Sequence, residues 1–186
     1  MKVSVKMSSK ITYSSLPVQV KRIAQESLGR GVLQSLFNYN TDYHILIKIE
    51  DGETIGFALY HFNTEELESG KNYITGVIDC ICVSTRYRNE GYGTKLTVGV
   101  LRKMAAKNVS RIELMLKKPV IEDRDSEPGF PIRGSEELLI DLGFRKVMEY
   151  KSYYSGNSKD SKYECIFCGN NSDTCTGVLY AINERG

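Results

Sequence analysis

The stretch from Thr75 to Ala105 constrains this chain most. Thr75 to Val83 is rich in β-branched residues, with Gly76 and Ser84 at its bounds, and reads as a buried strand. A polar, basic loop follows, Arg86-Tyr87-Arg88-Asn89-Glu90, and then Gly91-Tyr92-Gly93-Thr94. Beyond it Leu96, Val100, Leu101, Met104 and Ala105 recur at helical spacing. The two glycines therefore stand where a helix begins. The first turn of a helix has backbone N–H groups without intrahelical partners, and the helix dipole is positive there. Glycine removes the side chain that would block a close approach. Strand, loop and helix together make a cradle for an anion, phosphate above all.

The six residues Arg88-Asn89-Glu90-Gly91-Tyr92-Gly93 resemble the acyl-CoA signature of the GNAT superfamily of N-acetyltransferases, Arg/Gln-x-x-Gly-x-Gly/Ala. An apolar strand ends shortly before Arg88, and an amphipathic helix follows directly. Further on, Leu138-Leu139-Ile140-Asp141-Leu142-Gly143-Phe144 looks like that family's late helix, which ends in Gly-Phe before the next strand. The resemblance implies an α/β fold of the acyl-CoA N-acyltransferase type. Its sheet is mixed and mostly antiparallel, with splayed central strands and flanking helices. It also implies transfer of an acetyl group from acetyl-CoA to a primary amine, on a small molecule or a protein. The alternative is a strand-to-helix turn whose glycines serve packing only.

Length and composition agree with a single domain carrying a small appendage. We expect residues 1–155 to form the transferase domain and 156–186 a cysteine-bearing extension. A net charge of +2 gives no argument for nucleic acid. No apolar run is long enough to span a membrane. The start, MKVSVKMSSK, lacks the apolar centre of a signal peptide, so a cytoplasmic location is expected. The five cysteines are then expected to be reduced or metal-bound. A homo-oligomer is left open.

Taken in order, Val3, Val5 and Met7 alternate with polar residues as in a strand. Ser14-Ser15-Leu16-Pro17 starts a helix with the stripe Leu16, Val20, Ile23, Ala24 and Leu28, and Gly29-Arg30-Gly31 stops it. Val32 to Phe37 reads as a second short helix. Tyr43 to Ile49 and Thr54 to Phe62 are strands joined at Asp51-Gly52, a hairpin signal. Asn63 to Asn72, with Glu65, Glu66 and Glu68, reads as a solvated loop or as an acidic wall for a cationic acceptor. Arg111 to Leu116 is a strand, and Lys117 to Gly134 a long charged connection. Ser135 to Leu142 is a helix, Phe144 to Tyr154 a strand, and Gly177 to Ile182 a final strand.

Acetyl transfer needs an anion cradle, donors for the thioester oxyanion and a route for the amine's proton. The amides of Glu90, Gly91, Tyr92, Gly93 and Thr94 can form the cradle, with Arg88 and Asn89 heading the motif. In the resembled family the strand before the loop splays from its neighbour and its backbone holds the pantetheine. By position these residues are Ile81, Cys82 and Val83. Asp79 is the candidate base, because a carboxylate inside an apolar strand is costly unless paired or functional. Glu113 is the second candidate. Many family members carry a tyrosine four residues before the glycine of Gly-Phe as general acid. Here that position is Leu139, which leaves Tyr150 or water. Cys80 and Cys82 read as core residues rather than acetyl carriers.

Cys165-Ile166-Phe167-Cys168-Gly169 has the form of a zinc knuckle, with Cys175 as a third ligand and Asp173, a histidine or another chain as the fourth; the alternative is three cysteines in a strand pair. The missing tyrosine and the knuckle suggest a rival reading. It is a non-catalytic acyl-CoA-binding module that holds a partner through its extension.

Overall fold

The computed structural model describes residues 11–37, 41–119, 132–151 and 175–183. Among the described residues, four α-helices flank a six-stranded sheet. They are α1 (Val18–Leu28), α2 (Val32–Leu36), α3 (Tyr92–Ala105) and α4 (Ile132–Asp141). The strands are β1 (His44–Glu50), β2 (Glu53–Glu66), β3 (Asn72–Val83), β4 (Arg111–Pro119), β5 (Arg145–Lys151) and β6 (Cys175–Asn183). Their spatial order is β1-β2-β3-β4-β6-β5, antiparallel except for the parallel pair β3–β4. This is the mixed, mostly antiparallel sheet that the resemblance implies. No helix among the described residues is long and apolar enough to cross a membrane.

Strand alternation sorts the core into two layers. On one face Ile45, Ile47, Phe57, Leu59, Cys80 and Cys82 pack against Val20, Ile23 and Ala24 of α1 and Leu33 of α2. On the other, Leu46, Ala58, Tyr60 and Ile78 meet Leu96, Val100 and Met104 of α3, while Leu114, Val178 and Tyr180 share a cluster with Leu139 of α4. Each large side chain buried this way contributes roughly 2 kcal/mol relative to exposure. Asp51 and Gly52, both at positive φ, make the tight turn between β1 and β2. Gly143, at φ 89°, ends α4. Its N–H donates to Ile140 O and that of Phe144 to Leu139 O, which caps the last carbonyls.

Three expectations change. Asn63 to Asn72 is not a loop but the end of a long hairpin. Thr64 pairs with Ile74 and Glu65 with Tyr73, and the turn is closed by the Leu67 N–H on Lys71 O at 2.9 Å. Its exposed, charged side chains gave it the composition of a loop, although the backbone ladder needs no apolar face there. Second, residues 175–183, expected within the cysteine-bearing stretch, form a strand of the sheet. β6 lies between β4 and β5 and supplies the pairing that β5 needs. Third, the helix placed at Ser135 begins three residues earlier, at Ile132. The expected strand at Val3 to Met7 and the cysteines Cys165 and Cys168 lie outside the described residues.

Gly56 of β2 is required by proximity. A Cβ there would sit 2.5 Å from the carbonyl oxygen of Cys82, a backbone atom of β3. Replacing it with alanine must displace the β2–β3 ladder. Gly56→Ala should lower unfolding stability by about 2 kcal/mol in urea titrations. An unchanged midpoint would show that the ladder relaxes freely.

Candidate active site

The site is built where β3 changes face. Leu59 pairs with Cys80 and Tyr60 with Ile78, so Asp79 is an extra residue, a β-bulge. Before it Gly76 and Ile78 face α3. After it Ile81 and Val83 do, while Cys80 and Cys82 face α1. The pairing of β3 with β4 covers Thr75 to Ile78, opposite Arg111 to Leu114, and ends there. Among the described residues, Asp79 to Val83 of β3 has no ladder partner on that side, while β4 continues alongside β6 as far as Pro119. The bulge and the opening of the sheet thus fall on one residue.

Asp79 lies on the α1 face, where its Oδ2 is 2.8 Å from Nδ1 of His61 on β2. Both side chains are largely buried, 11% and 13% exposed. Burial pushes the Asp79 carboxyl above the ordinary aspartate range, and the hydrogen bond and charge of His61 partly offset this. The His61 ring meets the Tyr43 ring edge-on at 5.6 Å, and the Tyr43 hydroxyl donates to Leu36 O at 2.9 Å. The sequence reading missed His61, which stands 18 positions before Asp79. The signal was strand parity, since His61 shares the face of Phe57 and Leu59, but the bulge that brings Asp79 to that face was not legible.

The loop after β3 is clamped at its base. Arg88 donates through Nε to the carbonyl of Val83 and through Nη2 to Oγ of Ser27 on α1, both at 3.3 Å. Its side chain is therefore committed to holding the loop. A single 3-10 turn spans Thr85–Tyr87, and Asn89 and Gly91 take positive φ to turn the chain into α3. Lys95 N–H makes a helical bond to Gly91 O, so the amides of Gly91, Tyr92, Gly93 and Thr94 precede that ladder. A Cβ at Gly93 would meet nothing within 4 Å. The space a phosphate needs at the helix start is open. Tyr92 donates to Glu50 of β1, which pushes its phenol up to about 12, and Lys95 lies 4.5 Å from the Tyr92 ring.

The other candidates fall elsewhere. Glu113 of β4 is held by Arg111 Nε at 2.7 Å. Tyr150 is on the edge strand β5, with β6 and β4 between it and β3. Leu139, at the position of the family's tyrosine, is buried against the sheet. A hydrogen bond with Cys82, and then burial, hold the Cys80 thiol well above its ordinary range, so it is protonated and inert at neutral pH. Cys175 opens β6 opposite Pro119 of β4. Among the described residues no group of three or more histidine, cysteine or acidic side chains could hold a metal. A groove between α1 and α2 is lined by Tyr13, Val18, Lys21 and Gln34.

The arrangement sets the first amides of α3, a strand edge and a buried carboxylate along one stretch of chain. Comparison with known proteins bears on the fold and the family. No curated protein matches the chain. Among solved structures it is similar to a Bacillus subtilis acetyltransferase in complex with CoA, with TM-score 0.66 and 11% identity over 99% of this chain and 97% of that one. It is similar to a GNAT family acetyltransferase from Elizabethkingia anophelis with acetyl-CoA bound, with TM-score 0.61 and 15% identity over 98% and 96%. It is similar also to the ribosomal-protein-S18-alanine N-acetyltransferase from Escherichia coli, with TM-score 0.60 and 16% identity over 96% and 94%. At such identities these likenesses establish the fold alone. The sequence profile of the Acetyltransferase (GNAT) family matches residues 17–122, more than half of the chain, and the chain belongs to that family.

Proposed function

We propose that this acetyltransferase moves an acetyl group from acetyl-CoA directly to a primary amine. The observation that carries the reading is the end of the β3–β4 ladder at Asp79, which sets a strand edge and a carboxylate side by side. The CoA diphosphate binds the amides of Glu90 to Thr94 at the start of α3. The pantetheine takes the unpaired edge of Ile81, Cys82 and Val83 as a strand would, and a backbone N–H there polarises the thioester carbonyl. One oxyanion donor of this kind is worth about 3 kcal/mol. The amine arrives as an ammonium ion and must lose a proton before its nitrogen attacks. Asp79 takes that proton, directly or through water. The C–N bond forms, the C–S bond breaks, and the nitrogen's second proton reaches the departing sulfur through solvent. Tyr150 stands too far across the sheet for this step. Direct transfer is favoured over an acetyl-cysteine because Cys80 is buried and protonated. The pairing of His61 with Asp79 at the opening favours catalysis over a binding module, which has no use for a costly buried carboxylate.

Two predictions test this. Gly93→Val should abolish CoA binding in calorimetry while leaving the fold intact, because the added side chain enters open space that the phosphate needs. Unchanged affinity would remove the cradle assignment.

The second concerns Asp79. Asp79→Asn should retain CoA affinity and lose about a hundredfold in CoA thiol release with an amine, the scale of a general base. The rate should recover partly at high pH, where the amine is already neutral. Stability should move the other way. Burial raises this carboxyl's pKa, so its contribution favours the fold at low pH and is lost as pH rises through the folded value. Asp79→Asn removes that loss, so its melting temperature at pH 8 should be no lower than wild type. Full activity in the variant would assign Asp79 to structure. A pronounced drop in melting temperature would show that the ionised carboxylate holds the fold.

A further inference from the structure

Asp79 has one described partner, and that partner decides how a buried carboxylate can work at neutral pH. We propose that His61 is the positioning residue of the base: its Nδ1–H fixes the Asp79 carboxylate at the sheet opening and keeps it ionised there. The inference rests on the acetyl-transfer reading and assigns a residue that the reading leaves without a role.

The geometry carries it. His61 lies on β2 opposite Val77, and the bulge at Asp79 turns the carboxylate back toward it. The contact is 2.8 Å, and both side chains are nearly enclosed. Tyr43 holds the ring from one side, itself fixed by Leu36 and by Phe37, whose ring lies at 4.9 Å. A ring so held presents one nitrogen to the carboxylate and cannot swing away without breaking the aromatic contact. An ionised carboxylate accepts hydrogen bonds only, so with Asp79 charged the Nδ1 atom must carry the proton. Donation to the charged form favours that form, which opposes the effect of burial.

The surrounding charges leave His61 this role. Cys80 beside Asp79 is a protonated thiol. His44 of β1 belongs to the opposite face, stacked on Tyr60. Arg111 and Glu113 of β4 satisfy each other. On α1, Lys21 lies over Tyr13, and Arg22 pairs with Glu26. Among the described residues, no other cation is bonded to Asp79.

The test uses the full chain with acetyl-CoA, a panel of primary amines and two variants. His61→Phe keeps a ring against Tyr43 and removes the donor. His61→Asn restores an N–H near the position of Nδ1 without the ring. The inference expects the acidic limb of the kcat/KM profile to move up by about one pH unit in His61→Phe, the scale of a hydrogen bond to a charged group. The rate should approach wild type at the alkaline end. His61→Asn should return the limb part of the way. A purely structural role would lower the rate equally at every pH, and that result overturns the inference. So does a limb that stays in place.

A second readout needs no acceptor. The chain has two histidines, so both imidazoles can be resolved by 15N NMR. Neutral His61 should carry its proton on Nδ1, and Asp79→Asn should release that preference. An Nε2–H tautomer in wild type would overturn the proposal. Wild-type protein that releases no thiol with any amine would instead sink the acetyl-transfer reading itself. Turnover with an unmoved limb would sink the role of His61 alone.

Discussion

One extra residue in β3 governs this molecule. An antiparallel ladder tolerates an additional residue only by bending the strand and leaving that residue outside the pairing. Here the residue is Asp79. The bend moves the second half of β3 out of register with β4, so the parallel ladder stops after Ile78. It also exchanges the faces of the strand, which puts Cys80 and Cys82 into the α1 layer and Ile81 and Val83 toward α3. A strand edge in the middle of a sheet is normally a defect. Under the proposed function it is a slot that an extended ligand occupies by hydrogen-bonding as a strand does.

The rest of the structure keeps that slot from closing or collapsing. β6 pairs with β4 along its whole length and holds it in place beyond the point where β3 departs. On the other side, Arg88 ties the carbonyl of Val83 to Ser27, so the end of β3 and the loop before α3 are joined to α1. Tyr92 ties the start of α3 to Glu50, and Tyr87 donates to Glu53 at 2.7 Å, which anchors the same loop to the β1–β2 hairpin. Part-buried or exposed, these bonds each add little net stability. Their effect is to preset the loop, so that binding an anion need not order it.

Much of this was legible in the sequence because it is local. The hairpin at Asp51-Gly52, the helix that follows Pro17, the glycine turn into α3 and the Gly143 cap each depend on residues close together in the chain. The expected splay of the strand before the loop also appears, where the β3–β4 ladder stops at Ile78. What was missed is non-local. The polar end of the β2–β3 hairpin looks like a loop until its partner strand is known. The place of β6 between β4 and β5 depends on pairing across distant segments. His61 joins Asp79 only because the bulge reverses the parity of β3, and no spacing rule reveals a bulge. The candidates offered by residue type alone, Tyr150 and Glu113, are separated from the opening by two strands or by an ion pair of their own.

The account's central claim is that the opening beside Asp79 is where the cofactor's acyl end lies. A crystal structure with bound CoA tests it most directly. The account expects the diphosphate within hydrogen-bond distance of the amides of Gly91 to Thr94. The pantetheine should run along the free edge of residues 79 to 83, with its sulfur between β3 and β4 beside Asp79. A β3–β4 ladder that continues past Ile78, or a pantetheine that leaves the sheet by another path, would contradict it.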